Sequence, residues 1–304
     1  MKPARPMLRS QAMAASRSGT LHLVPVPIGN PRDITLRALD VLRSGALIVA
    51  EDTRHFRTLA AAHGIATRAS SLHEHNEAAR IPELLARLEA GSDVALVSDA
   101  GTPVISDPGY RLTAAALQAG IPVTALPGAS AVTTAVSASG LPPIPFRFCG
   151  FPPRTAGARR SFFAALRDEP ATLVCFEAPH RLLATLRDAL GELGDRDACL
   201  ARNLTKPHER YQRGPLSELI ASLEAEETVR GECTLLVAGE AGGATGAGEA
   251  ERVAAILAGA GAPPRAVQAL LTGYMGLSRR AAYEIAHGTR ASAVPSAPGR
   301  RQRH

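Results

Sequence analysis

Cysteine is sparse in this chain and carries no pattern: Cys149, Cys175, Cys199 and Cys233 stand apart, with no C-x-x-C pair. Zinc sites and disulfide frameworks both depend on closer, repeated spacing. The four therefore read as small buried hydrophobic side chains in a protein of the reducing cytoplasm. Long apolar runs are missing too. None approaches the roughly 20 residues that span a bilayer, and the longest candidates, 47–50 and 235–238, read as buried strands of a soluble protein with no membrane partner. There is no G-x-x-x-x-G-K-[ST], no G-x-G-x-x-G after a strand, no H-E-x-x-H and no G-x-S-x-G. These absences weigh against nucleotide hydrolysis, hydride transfer and serine hydrolysis. Tryptophan is absent, and lysine is nearly so. Of 34 basic Lys and Arg residues, only Lys2 and Lys206 are lysines.

What is present fits an enzyme of two ordinary domains. The chain has 304 residues, 45% of them hydrophobic, enough for two cores. Charge is unevenly placed. Residues 251–304 hold eight Arg against two Glu and so carry the whole net charge of +6. Residues 1–20 add four basic and no acidic side chains, which leaves 21–250 mildly acidic. Basic ends suit a polyanionic partner, and they equally suit solvated tails; composition leaves both readings open. The first twenty residues, rich in Arg, Ser and Ala, have transit-peptide character without a secretory apolar core. A disordered extension or an early start codon accounts for them as well.

Along the chain, short apolar runs alternate with helical patterns. Residues 21–27 form a strand that stops at P-V-P-I-G-N-P, and a helix follows from Asp33 as N-cap to Gly45. A strand at 46–50 runs into E-D-T-R. A helix at 81–90 precedes a strand at 94–97, which runs into S-D-A-G-T-P. A helix at 110–119 precedes a strand at 123–126, which runs into P-G-A-S. This order predicts a parallel α/β sheet buried on both faces, with ligands beyond the carboxyl ends of its strands. Proline-dense stretches at 141–145 and 151–153 mark a hinge. A second α/β unit follows, with strands at 172–176, 198–201 and 234–238 and helices at 182–190 and 217–225. The expected organisation is a basic N-terminus at 1–20, α/β domains at 21–141 and 146–240, a Gly/Ala linker at 241–250, a helical appendage at 251–289 and a basic tail at 290–304. The appendage reads as three short helices, a helix-turn-helix or a helical cap.

The densest motif is S-D-A-G-T-P-V-I-S-D-P-G at 98–109. Gly101 removes side-chain bulk where a ligand would meet the backbone. Pro103 and Pro108 stiffen the loop, and Asp99 and Asp107 offer hydrogen-bond acceptors. With it stand V-P-V-P-I-G-N-P-R-D-I-T at 24–35, A-E-D-T-R at 50–54, P-G-A-S-A at 127–131, F-E-A-P-H-R at 176–181 and N-L-T-K-P-H-E at 203–209. Six such stretches in this order resemble the tetrapyrrole methylase superfamily over about 21–240, and within it the branch that methylates small-subunit ribosomal RNA. A weaker likeness covers 251–289. Ala178 and Pro207 depart from the pattern, which has serine at the first place and no proline at the second.

The resemblance implies two α/β domains with S-adenosylmethionine bound in the cleft between them, a small helical appendage, and methylation of a cytidine 2′-hydroxyl in 16S RNA, within the assembled 30S subunit and by a homodimer. Alternatives are methylation of a small tetrapyrrole, or a non-catalytic ribosome-binding protein. Carried over by motif position, the cofactor contacts are Pro27, Ala100, Gly101, Thr102, Ile105, Ser130, Ala131, Phe176, Glu177 and Leu204. The chemistry requires a ribose oxygen held in line with a reactive methyl donor and help in losing its proton. Lys206, singular in an Arg-rich chain, is the first candidate for that help, and Glu209 lies three residues on. Glu51, Asp52 and His75 are the other candidates. Arg54, Arg154, Arg181, Arg279 and Arg280 are candidates to meet RNA phosphates. No metal is expected; the His73–His75 pair is a poor ligand set.

Overall fold

The computed structural model describes residues 18–226, 229–240, 246–275 and 279–291. Of the expected tails and linker, 1–17, 241–245 and 292–304 lie outside the described residues. By its contacts the chain divides into two units. The first holds the described residues up to Thr134 together with Asn203–Glu209; the second holds Ala135–Arg202 and the described residues from Arg210 onward. The heptapeptide Asn203–Glu209 thus groups with the first unit, although the expected boundaries placed it in the second.

The first unit contains the strands β1 (Leu21–Leu23), β2 (Leu47–Ala50), β3 (Ala69–Ser71), β4 (Val94–Val97) and β5 (Val123–Ala125). Their order is β3-β2-β4-β1-β5, and every neighbouring pair is parallel. Side chains alternate between two cores, as the period of a strand requires. Ala95 and Val97 of β4 and Ile48 and Ala50 of β2 join Ala38 and Leu42 of α1 (Leu36–Arg43) and Phe56 and Ala60 of α2 (Thr53–His63). Val94, Leu96 and Val49 face the other way, toward Leu84 and Leu88 of α3 (Glu77–Glu89) and Leu112 and Ala116 of α4 (Tyr110–Gln118). Both faces are covered, which is why the central strands β2 and β4 are unbroken apolar runs.

Several boundaries differ from expectation for local reasons. Asp33 does not cap α1. It lies in a 3-10 turn, Pro31–Asp33, capped by the Asn30 side chain, while the Thr35 hydroxyl accepts from the Ala38 amide and starts the helix. E-D-T-R is not all loop, because Asp52 accepts from the Arg54 amide at 2.8 Å and begins α2 at Thr53. Helix α3 starts four residues earlier than its apolar period suggests, at Glu77.

After α5 (Ala131–Ser139), within which the two units meet in sequence, the second sheet has order β6-β7-β10-β8-β9. Its strands are β6 (Phe146–Gly150), β7 (Thr172–Glu177), β8 (Asp197–Arg202), β9 (Arg210–Pro215) and β10 (Cys233–Val237). Only β6 and β7 run parallel; the other pairs are antiparallel. Strand β9 is polar and lies at the sheet edge, so no apolar run announces it. Helices α6 (Ala156–Ala164), α7 (Pro179–Leu193) and α8 (Leu216–Glu224) contribute Phe163, Leu186 and Leu219 to a core shared with Leu200 and Leu235. Three further helices, α9 (Gly246–Gly259), α10 (Pro264–Gly273) and α11 (Arg279–Ala291), share a small core of Ala250, Ala254, Val267, Leu271, Ala282 and Ala286. Helix α9 takes up the latter half of the expected 241–250 linker. No helix among the described residues is long and apolar enough to cross a membrane.

Candidate active site

The loops at the carboxyl ends of the first sheet are tied to one another. Val26 and Gly101 exchange backbone bonds: the Val26 amide donates to the Gly101 carbonyl at 2.9 Å and the reverse bond is 3.0 Å. The Ser98 hydroxyl donates to the carbonyls of Ala100 and Gly101, both at 3.3 Å. The Thr102 hydroxyl donates to the Ala129 carbonyl at 3.1 Å. Pro27, Ala100, Gly101, Thr102, Ser130 and Ala131, far apart in sequence, therefore belong to one set of connected loops. Gly101 has φ of 77°, and a Cβ there would meet Ile28 Cγ2 at 3.2 Å. It is a cradle that a side chain would fill. Beyond it, Val104 and Ser106 also hold left-handed φ, 77° and 69°, which is costly for a β-branched valine. Between them Ile105 stands 47% exposed, an apolar side chain held out from the loop.

The same edge carries charge. The Arg54 guanidinium meets the Asp52 carboxylate at 2.5 Å, and this pairing holds Asp52 well below the usual carboxylate range. His55 Nδ1 lies 2.8 Å from Asp99, whose carboxylate raises the imidazole. Asp99 also accepts from the Asp52 amide at 3.0 Å. Glu51 is raised by burial first and by Asp99 second. Asp107 goes further: burial, then the charge of Glu51, pushes it up to about 7. Of the expected proton acceptors, Asp52 is thus a weak base locked to arginine, and Glu51 a stronger one. Asp107 is a titrating group that the sequence marked only as a hydrogen-bond acceptor. The available signal was that the neighbouring strands β2 and β4 both run into loops with acidic residues at or near their start, Glu51 and Asp52 after one and Asp99 after the other.

Lys206 lies on a separate loop of this unit. Its stem packs on Gly29, where a Cβ would stand 2.6 Å from Lys206 Cγ. The Asn30 amide donates to the Thr205 hydroxyl at 3.0 Å, so N-L-T-K-P-H-E is seated on P-I-G-N. Leu204 is buried. The Glu209 carboxylate accepts from the Thr205 amide at 2.5 Å and braces its own loop. His75 is not brought to this place. It is exposed in the turn that follows β3, the edge strand of the sheet. Its ring lies 6.0 Å from that of His73. Among the described residues no group of three or more His, Cys, Asp or Glu is arranged to hold a metal.

In the second unit, Phe176 packs edge-on against Phe148 and Phe151. Glu177 is buried at the end of β7, where its carboxylate accepts from the Ala178 amide at 2.8 Å and from the Thr185 hydroxyl. Arg181, expected at an RNA phosphate, points inward instead. Its side chain is 17% exposed, pairs with Glu177 at 3.3 Å, and donates to the carbonyls of Pro152 and Pro153 at 2.6 and 3.0 Å. A buried carboxylate needs a cation, and Arg181 supplies it. Arg154, Arg279 and Arg280 are exposed, and Arg54 is 81% exposed although paired.

Residues 20–220 match the family model described as Tetrapyrrole (Corrin/Porphyrin) Methylases. The chain is 51% identical over 269 residues to "Ribosomal RNA small subunit methyltransferase I" of Micromonospora olivasterospora, covering 88% of this chain and 86% of that protein. A relative of the same name from Escherichia coli O157:H7 is 46% identical over 234 residues, covering 76% and 82%. Among solved structures, a diphthine synthase superposes with a TM-score of 0.57 at 17% identity, over 72% of this chain and 90% of its own. The uroporphyrin-III-C-methyltransferase of Thermus thermophilus superposes with a TM-score of 0.51 at 25% identity, over 72% and 94%. The chain belongs to the tetrapyrrole (corrin/porphyrin) methylase family and, within it, to the group whose curated members are named ribosomal RNA small subunit methyltransferase I.

Proposed function

We propose that this chain transfers a methyl group from S-adenosylmethionine to the 2′-hydroxyl of a cytidine in small-subunit ribosomal RNA. The observation that carries the reading is the joining of the V-P-I-G-N, S-D-A-G-T-P and P-G-A-S loops at one sheet edge, with the Lys206 loop seated on the first of them. The names of the relatives favour ribosomal RNA over a small tetrapyrrole as acceptor. When bound, the cofactor supplies an electrophilic methyl group on a sulfonium.

The chain's residues do the rest. Gly101 leaves the backbone open to a ligand, and the bonds of Val26 and Thr102 keep the loops fixed around it. Pro27, Ala100, Ser130 and Ala131 offer backbone contacts, and Ile105 offers an apolar cover that excludes water. Leu204 sits inside the Lys206 loop. Lys206 takes the proton of the 2′-hydroxyl or offsets the charge left by its departure. Glu51 and Asp107, both raised, are the acceptors of second resort, and Glu209 braces.

In this reading the appendage, carrying exposed Arg279 and Arg280, meets RNA phosphates with Arg54 and Arg154. The enzyme works as a cytoplasmic homodimer on the assembled 30S subunit. The test is incubation with methyl-labelled cofactor and either naked 16S RNA or 30S subunits, followed by mapping of the label. Label on a cytidine ribose supports the reading. Label on a base, or none on either substrate, overturns it.

A further inference from the structure

The Lys206 loop is held in a conformation that its sequence resists. Asn203 and Thr205 both have left-handed backbone, with φ of 53° and 64°. Asparagine tolerates this region; threonine, branched at Cβ, crowds its own carbonyl there. Such a residue persists only where its surroundings over-determine it.

Here they do, from three directions. The Thr205 amide donates to the Glu209 carboxylate at 2.5 Å. The Thr205 hydroxyl accepts from the Asn30 amide at 3.0 Å. The Lys206 amide donates to the Asn203 carbonyl, and the Glu209 amide to the Lys206 carbonyl, both at 2.9 Å. Asn30 is itself fixed, since its side chain caps the turn through the Arg32 amide at 3.1 Å. Opposite, Gly29 leaves no slack: a Cβ there would stand 2.6 Å from Lys206 Cγ, 2.8 Å from the Leu204 carbonyl and 2.9 Å from the Thr205 hydroxyl.

We propose that Thr205 is a positioning residue for methyl transfer, its hydroxyl locking the loop to Asn30 so that the Lys206 stem is pressed against Gly29 and its amine is presented at one place. The proposal rests on the role given to Lys206 above and adds to it the device that aims the lysine. The left-handed backbone at Thr205 is sustained by the same two bonds that fix the loop, from the Thr205 amide to Glu209 and from the Asn30 amide to the Thr205 hydroxyl.

Thr205→Val keeps the branched shape and the strain but removes the hydroxyl oxygen. The single-turnover methylation rate at saturating cofactor and 30S subunits should fall roughly 10- to 100-fold, the scale of a misaimed catalytic group. Cofactor affinity, read by calorimetry, and the thermal midpoint should change little. Thr205→Ser keeps the oxygen and should restore most of the rate. Gly29→Ala pushes the loop from the other side and should lower the rate as Thr205→Val does. A wild-type rate in Thr205→Val, or equal losses in the valine and serine variants, overturns the proposal. Lys206→Ala is assayed in parallel. If it is active, the lysine reading fails and this one with it; if it is inactive while Thr205→Val is normal, only the positioning role fails.

Discussion

The hydroxyl of Thr102 donates to the carbonyl of Ala129 at 3.1 Å, so two motifs a quarter of a domain apart in sequence act as one surface. Gly101, beside Thr102, is where that surface is open. A side chain at position 101 would have to adopt φ of 77° and would press on Ile28.

Gly101→Val should therefore abolish binding of S-adenosylmethionine and of its demethylated product, and Gly101→Ala should weaken it. Calorimetry on protein whose fold is verified by circular dichroism checks this. Equal affinity in the valine variant would remove the cofactor from this loop.

Arg181 and Arg54 separate a structural arginine from an exposed one. Arg181→Ala leaves the buried Glu177 carboxylate without its cation, a change that costs about 3 to 5 kcal/mol in comparable buried pairs. Arg54 is largely exposed, so Arg54→Ala should leave stability almost unchanged. Its effect should appear instead as weaker RNA binding. Urea unfolding and RNA titration of both variants read out the contrast, and similar unfolding midpoints for the two would contradict it.

What was legible in the sequence was what local chemistry fixes. Short apolar runs located β1, β2, β4 and β5, and the motif loops sat on their carboxyl ends. Lys206 stood out by rarity alone. Less legible was anything set by a neighbour distant in sequence. The environment of Asp107 depends on Glu51 at the end of an adjacent strand. The inward turn of Arg181 depends on the burial of Glu177. Strand β9 is a polar edge, and the grouping of Asn203–Glu209 with the first unit depends on a glycine 174 positions before Asn203. Thr205 gave no sign at all, since positive φ at a threonine follows from its contacts and not from its type.

Asp107 supplies a pH prediction. Well below its ordinary value of 3.8 it is protonated in both the folded and unfolded chains and contributes nothing. As pH rises the unfolded carboxyl ionises near its usual value of 3.8, while the folded one keeps its proton to about 7. In that window the folded state binds more protons, so stability falls with rising pH, and the penalty stays constant above it. Asp107→Asn removes the effect. The variant should gain about 1 to 3 kcal/mol over the parent at pH 8, with solvent screening keeping the gain below the full value of the shift, and almost nothing at about pH 3. Chemical denaturation at the two pH values measures it. A gain that is equal at both would mean that Asp107 titrates normally.

The helical appendage has its own core, so removing everything from residue 246 onward takes away a packed unit. If Arg279 and Arg280 grip RNA, the truncated protein should bind 30S subunits more weakly, with a flatter dependence on salt, because fewer counterions are released. Cofactor affinity should be unchanged. An unaltered salt slope would show that the appendage does not touch RNA.

Lys206 carries the most direct test of mechanism. Two roles are open to it, proton acceptor and fixed charge, and two substitutions separate them. Lys206→Arg keeps a positive charge but replaces a compact amine with a guanidinium that does not give up its proton. Lys206→Ala removes both charge and amine. If the amine accepts the 2′-hydroxyl proton, both variants should lose turnover by roughly 100-fold or more, the usual scale for acid–base groups. If charge alone matters, arginine should recover part of the rate, limited by the tight packing of the stem on Gly29. In either case cofactor affinity should survive, because Lys206 is assigned to the acceptor and not to the cofactor. Near-normal turnover in Lys206→Ala would end both roles. The next variants would then be Glu51→Gln and Asp107→Asn, since these two carboxyls are raised toward neutrality, whereas Asp52 is held ionised by Arg54 and His75 lies at the far edge of the sheet.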